Sequence, residues 1–265
     1  MCNPTHRVEP TAHDPTNALD ETTIPVHNDT IYQQHQPIGD ILLLPKPSNI
    51  TRIMAQNPNG FNVGPAGNLP DLLLHVQEAE ADITMLPEIN CDITQGWILS
   101  QIHSACRQTF GTNQYRFEAA HSDIRYQTQY KPGGVMMLTV GNTTGRILSS
   151  GSDSLGRWVY TRFNGSAGRT ITIIATYQVC KGNPRLAGDT TAIKQQYSML
   201  ERMRRQQPHR IRHHHTKDLC QFVQTCKDQG DLVCVGGDFN ETLGENGGGL
   251  TRLCSDFGLV DAIYE

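Results

Sequence analysis

The sequence predicts an α/β protein in which a pair of mixed β-sheets is covered by helices. Three observations predict it. Between residues 50 and 110, short apolar strands alternate with helical patterns. Between 115 and 177, strand-like segments follow one another with no helix between them. After residue 190, helical patterns return around one further apolar strand. Strand–helix pairs flanking a strand meander fit mixed sheets better than a purely parallel one.

The elements follow in order. Ile50–Ala55 reads as a strand ended by the turn Asn57-Pro58-Asn59-Gly60. Leu69, Leu72, Leu73, Val76 and Ala79 recur at helical spacing and predict an amphipathic helix over about 66–80. Ile83-Thr84-Met85-Leu86 is a short buried strand ending at Pro87-Glu88, and Trp97, Ile98, Ile102, Ala105 and Cys106 mark a second helix. Strands are expected at 115–121, 134–140, 145–149, 157–163 and 170–177. Helices follow at 190–205 and 214–228, then the core strand 231–235 and a last helix at 249–257. Gly133-Gly134 is expected to open its strand through backbone angles that other residues avoid. No internal repeat is visible.

Composition divides the chain. Hydrophobic residues are 37% and charged residues 18% of the 265, both low for a globular protein, so part of the chain is expected to be unfolded. Residues 1–49 hold two basic side chains against six acidic ones and seven of the fourteen prolines, while residues 50–265 are balanced at 20 against 20. Proline removes backbone donors and restricts the residue before it. The segment 1–49 therefore reads as a disordered acidic leader and 50–265 as the folded domain. Its Ile41–Leu44 patch, unsurpassed in length by any other apolar run, is far short of a membrane span. The N-terminus has neither the basic start nor the apolar stretch of a secretory signal. The eight cysteines form no Cys-x-x-Cys pair and several fall on apolar faces, so they read as reduced, buried thiols of an intracellular protein.

Candidate chemistry sits where strands end. Asn57 follows the first strand, Glu88 the second, and Gly237-Asp238-Phe239-Asn240 the strand 231–235. Side chains at the carboxyl ends of neighbouring strands can converge on one point. Glu88 and Asp238 offer anionic oxygens, Asn57 and Asn240 neutral ones, a set that suits magnesium together with water and a substrate phosphate. A lone Asp or Asn after a strand is ordinarily a helix cap. Three aligned sites argue for a shared centre.

In that order and spacing, Asn57-Pro58-Asn59-Gly60, Leu86-Pro87-Glu88, Thr176-Tyr177 and Gly237-Asp238-Phe239-Asn240 resemble the endonuclease/exonuclease/phosphatase superfamily across residues 50–261. Lys131-Pro132-Gly133-Gly134, Gly145-Arg146 and the run Gly151–Trp158 are most similar to endonuclease-like domains of non-LTR retrotransposons. The resemblance implies a four-layer α/β sandwich, two mixed sheets packed together with helices outside, and a magnesium-dependent phosphodiester hydrolase with manganese as a substitute metal. It implies DNA as the partner and, for a mobile element, the nucleus as the location. Glu88 and Asn57 match the metal-binding pair. Asp238 matches the aspartate that orients or deprotonates the attacking water, and Asn240 the asparagine that holds the scissile phosphate. Tyr177 matches a tyrosine near that phosphate; its other reading is a strand tyrosine with a satisfied hydroxyl.

Two departures stand out. Asn59 replaces an acidic residue of apurinic endonucleases. The family's carboxy-terminal Ser-Asp-His signature is absent: His215 is the last histidine, and Ser255-Asp256-Phe257 lies in a predicted helix too soon after Asn240. The expectation is a domain truncated at its C-terminus, lacking an acid–base partner of a class typically worth ~10²–10⁴ in rate. The alternatives are a phosphoinositide or other phosphoester phosphatase of the same fold, and a non-catalytic remnant. The basic run from Arg202 to Lys217 reads as a solvated helix–helix connection in preference to a nucleic-acid contact. Its three consecutive histidines point in different directions on a helix and make a poor chelate. His75 and His121 read as ordinary side chains.

Overall fold

The computed structural model describes residues 45–64, 66–124, 130–244 and 248–262. The leader assigned to 1–49 therefore falls, except for Pro45–Asn49, outside the described residues. Lys46, from that short remainder, donates its Nζ to Asp82 at 2.5 Å.

Two four-stranded sheets form the body. The first contains β1 (Ile53–Ala55), β2 (Ile83–Pro87), β3 (Tyr115–Ala120) and β4 (Val135–Val140), in the order β1-β2-β4-β3. Only its β1–β2 pair is parallel. The second contains β5 (Ile147–Ser152), β6 (Trp158–Asn164), β7 (Thr170–Tyr177) and β8 (Leu232–Asp238), in chain order, with β7–β8 its parallel pair. Both sheets are mixed, as the uninterrupted middle of the sequence predicts.

The period of two along each strand decides what packs where. Ile83, Met85, Val135 and Met137 of the first sheet meet Val159, Phe163, Ile173, Ala175 and Tyr177 of the second in one buried layer. Leu86, Met136 and Leu138 point the other way, onto α1 (Leu69–Glu78) and α2 (Gly96–Phe110). Leu69, Leu72, Leu73 and Val76 form the buried stripe of α1, and Ile98, Ile102 and Cys106 that of α2. Beyond the second sheet, Trp158 and Ile174 pack on Leu219 and Val223 of α4 (Ile211–Asp228) and on Leu253 and Phe257 of α5 (Gly249–Phe257). Helix, sheet, sheet, helix is the four-layer sandwich. The remaining helix, α3 (Ala192–Arg202), adds Met199 and Leu200 to the layer between the sheets.

Several boundaries differ from expectation, β8 among them by running on to Asp238, and three differ for evident local reasons. The first strand shortens to Ile53–Ala55 because the Arg52 carbonyl accepts from Asp82 and Ile83 and its N–H donates to the Asp82 carboxylate at 2.7 Å. Residues Gly141–Arg146 form a 3₁₀ turn before β5, braced by the Thr144 hydroxyl on the Gly141 carbonyl at 2.8 Å. Helix α4 starts at Ile211, whose side chain is buried, three residues before the expected start. Gly133 and Gly134 have φ of +78° and +79°, as their placement before β4 predicts.

Candidate active site

The Asn57-Pro58-Asn59-Gly60 turn continues β1. Gln56 still donates to the Met85 carbonyl at 3.0 Å, and the Asn57 side-chain oxygen accepts from the Asn59 N–H at 2.7 Å, closing an Asx turn. This fixes the amide so that its nitrogen faces outward. Glu88 follows β2 with φ +56°, a left-handed backbone that costs a non-glycine residue about 1–3 kcal/mol. Its carbonyl accepts from Gly60 at 2.8 Å, so the two turns hold each other. Asp238 ends β8 directly opposite Tyr177 of β7. Its Oδ1 accepts from the Asn240 N–H at 2.9 Å, a second Asx turn that leaves Oδ2 outward.

These turns bring Asn57, Glu88 and Asp238 together. The Asn57 amide nitrogen donates to Glu88 Oε2 at 3.0 Å and to Asp238 Oδ2 at 2.8 Å, across the gap between the two sheets. The carboxylates are thus at most two hydrogen-bond lengths apart. Tyr177 donates its hydroxyl to the other Glu88 oxygen at 3.3 Å. Burial, then the charge of Glu88, pushes the Tyr177 phenol far above its usual range, so it stays protonated and braces the glutamate. Asn240 is joined to the set through Asp238, and its side chain bridges to the extension of β7. The amide nitrogen donates to the Gln178 carbonyl at 2.7 Å, and its oxygen accepts from the Cys180 thiol at 3.1 Å.

Several contributors were not singled out in the sequence. Cys180 is exposed, which corrects the reading of every cysteine as buried; Cys234 and Cys254 are half-buried. Arg212 donates to the Val179 carbonyl at 2.6 Å, to the Phe239 carbonyl at 3.4 Å and to Glu241 at 2.6 Å, tying α4 to both strands that carry the site. The basic run is therefore not simply solvated. Its three histidines do diverge: His213 is exposed, His214 is buried, and His215 is buried behind β7 on the Thr176 hydroxyl at 2.9 Å. Burial, with Arg157 and Arg212 nearby, holds His215 well below its usual value, so it is neutral. Ser255 and Asp256 lie on α5 and bond within it, apart from the site.

The donor chemistry fits a hard divalent cation. Such an ion takes one or two carboxylates and fills its shell with water and substrate oxygens. Glu88 and Asp238 supply the two carboxylates, and the single NH2 group of Asn57 stands between them. Among the described residues, no cluster of three or more His, Cys, Asp or Glu is placed to hold a metal. A softer ion needing nitrogen or sulfur ligands has no such set here.

The two glycines before Asp238 test its placement. A Cβ on Gly236 would approach the flexible Met85 sulfur at 2.6 Å, whereas one on Gly237 would stand 2.0 Å from the Thr176 carbonyl oxygen. Gly236→Ala is expected to cost about 1–3 kcal/mol through overpacking. Gly237→Ala should cost more and displace Asp238, because a backbone atom of the sheet cannot swing aside. Equal melting temperatures for the two variants would contradict this.

The sequence matches no family model and none of the curated proteins. Among solved structures, it aligns with the sulfate-bound catalytic domain of human Nocturnin at 16% identity and a TM-score of 0.42, covering 71% of this chain and 61% of that one. It aligns with the 3′ phosphatase NExo from Neisseria, bound to a product DNA hairpin, at 16% identity and 0.45, covering 74% and 60%. The AP endonuclease LMAP from Leishmania major follows at 15% and 0.34, covering 50% and 41%. The aligned part thus spans about three fifths of the first two chains and two fifths of the third. At such identities the likeness is one of partial chain path and assigns no activity.

Proposed function

We propose that this domain is a magnesium-dependent phosphodiester hydrolase of the endonuclease type, acting on nucleic acid with DNA as the favoured partner. One observation carries the reading: two carboxylates from the ends of different sheets converge on the single amide of Asn57. A structural role alone would not bring two anions to an exposed edge with so little to neutralise them. Bound magnesium would supply positive charge to the phosphate oxygens.

The chain's own residues divide the remaining work. Glu88, braced by Tyr177, would hold the ion. Asp238 would orient a water molecule and take its proton, since its outward oxygen faces the shared gap. Asn240 spends one amide proton on Gln178, leaving the second for a phosphate oxygen. Among the described residues no histidine bonds to Glu88, Asp238 or Asn240. A slow reaction is expected where a general acid for the leaving group is missing. Origin in a mobile element and a nuclear location rest on the sequence resemblance alone.

The test is hydrolysis of bis-(p-nitrophenyl) phosphate by the purified chain, with and without magnesium. Slow release of p-nitrophenol that chelation abolishes is expected. Turnover that is indifferent to chelation, or none above the buffer rate, would overturn the proposal.

A further inference from the structure

A second cleft adjoins the candidate active site. It measures about 300 Å³ and lies between the segment after β7 and the start of α4. Cys180 and Lys181 line it and also line the larger cleft that holds Asp238 and Asn240. Cys180, on the shared wall of the two clefts, bonds Asn240 at 3.1 Å. Consecutive Cα atoms are about 3.8 Å apart, so Lys181 enters the second cleft one residue beyond the side chain that touches Asn240.

The cleft is basic, and among the described residues no acidic one lines it. Lys181, His209, Arg210 and His213 stand around an apolar floor of Ile193 and Ile211. The hydrogen-bond partner of Arg210 is the neutral Gln207 side chain, at 3.2 Å. Two carboxylates of α4 and the loop after β8 pair with other arginines: Glu241 with Arg212 at 2.6 Å, and Asp218 with Arg157 and Arg205 at 2.9 and 3.1 Å. Partial burial and then Arg210 hold His213 below its usual value, so it contributes donors more than charge at neutral pH.

Its walls are fixed. His214 bonds the Gln206 and Gln207 carbonyls at 2.9 and 3.2 Å, which holds the loop carrying His209 and Arg210. Arg212 holds the opposite wall through the Val179 carbonyl. Cations above an apolar floor match a sugar–phosphate unit, whose anionic oxygens and apolar sugar face need both.

We propose that this cleft binds the phosphate and sugar next to the scissile phosphodiester on a polynucleotide strand. The inference rests on the hydrolase reading of the Glu88–Asp238 centre and narrows its substrate to a polymer. A small phosphoester would fill the centre and leave the cleft empty.

The test follows the anisotropy of a short fluorescein-labelled single-stranded oligodeoxynucleotide bound to the 265-residue chain across a potassium chloride series. Each phosphate contact on a single strand adds about 0.7 to the slope of log affinity against log salt. Lys181→Gln and Arg210→Ala should each flatten the slope by about 0.7, while Arg169→Ala, exposed just before β7 and at the far end of that strand from Cys180, leaves it unchanged. Two outcomes would overturn the cleft: slopes for both variants equal to the unaltered chain, or weakening of inorganic phosphate binding as large as that of the oligonucleotide. Melting curves establish that each variant is folded, and either variant suffices. Hydrolysis of bis-(p-nitrophenyl) phosphate by the unaltered chain reads the catalytic centre separately. Hydrolysis with unchanged slopes defeats the cleft alone; no hydrolysis with flattened slopes defeats the centre alone.

Discussion

Glu88→Ala and Asp238→Ala should each lower magnesium-dependent hydrolysis of bis-(p-nitrophenyl) phosphate by about 10²–10⁴, the usual range for a positioned acid–base or metal-holding group. Isothermal titration separates the two roles. Glu88→Ala should abolish the heat of magnesium binding, whereas Asn57→Ala should change it far less, because the Asn57 amide nitrogen donates to the two carboxylates and supplies no anionic oxygen to a hard cation. Stability should move in the opposite sense. The two carboxylates share one amide nitrogen at 3.0 and 2.8 Å, so removing either relieves a repulsion and should leave the melting temperature unchanged or higher. Glu88→Gly should stabilise further, since glycine accepts the φ of +56° without strain. A variant that lost activity and melting temperature together would place Glu88 in the packing and remove it from the site. Greater loss of magnesium binding in Asn57→Ala than in Glu88→Ala would reverse the ligand assignment.

Much of this centre was legible in the sequence because it rests on strand ends. The alternation of Ile83, Met85 and their neighbours marks where β2 stops, and Glu88 follows. The same argument places Asp238 at the end of β8. Helices α1 and α2 were equally plain, since Leu69, Leu72, Leu73 and Val76 repeat every three to four residues. What periodicity does not carry is the pairing between distant strands. That Asp238 stands opposite Tyr177 depends on a parallel register set by β7 and β8 together. The roles of Gln178 and Arg212 depend on the same pairing, so neither could be singled out. Helix phase was the other gap. Arg212, His213, His214 and His215 read as one charged run, yet a rotation of about 100° per residue sends His213 to solvent and His215 into the protein. Cys180 resembles the buried cysteines in type and is exposed only because β7 has ended three residues earlier.

The largest loss of stability from one surface-adjacent substitution is expected at Asp231, at the other end of the strand that carries Asp238. Its side chain is fully buried, while that of its partner Arg162 is 31% exposed. Arg162 donates Nε to Oδ2 and Nη2 to Oδ1, both at 2.8 Å, and the Thr172 hydroxyl donates to Oδ2 at 2.7 Å, with Thr170 adding a further bond. Burial alone would raise this carboxyl. The hydrogen bonds from Arg162, Thr170 and Thr172, with the charge of Arg162, overcome it and bring the pKa down to about 2. A carboxylate whose pKa falls on folding stabilises the protein above its unfolded value near 3.9, and the contribution fades as pH drops through the folded value. About 2 kcal/mol should therefore be lost between pH 4 and pH 2, visible as a falling urea midpoint. Asp231→Ala removes the anion and leaves a guanidinium and two hydroxyls without their acceptor, a loss of about 3–5 kcal/mol for a buried pair. The exposure of Arg162 places the expected value near the lower figure. Asp231→Ala should also erase this acid-sensitive step, and an unchanged midpoint at neutral pH would refute the assignment. Activity per folded molecule should survive, because the register from Ile171–Leu232 to Tyr177–Asp238 separates the anchor from the site by the whole length of β8.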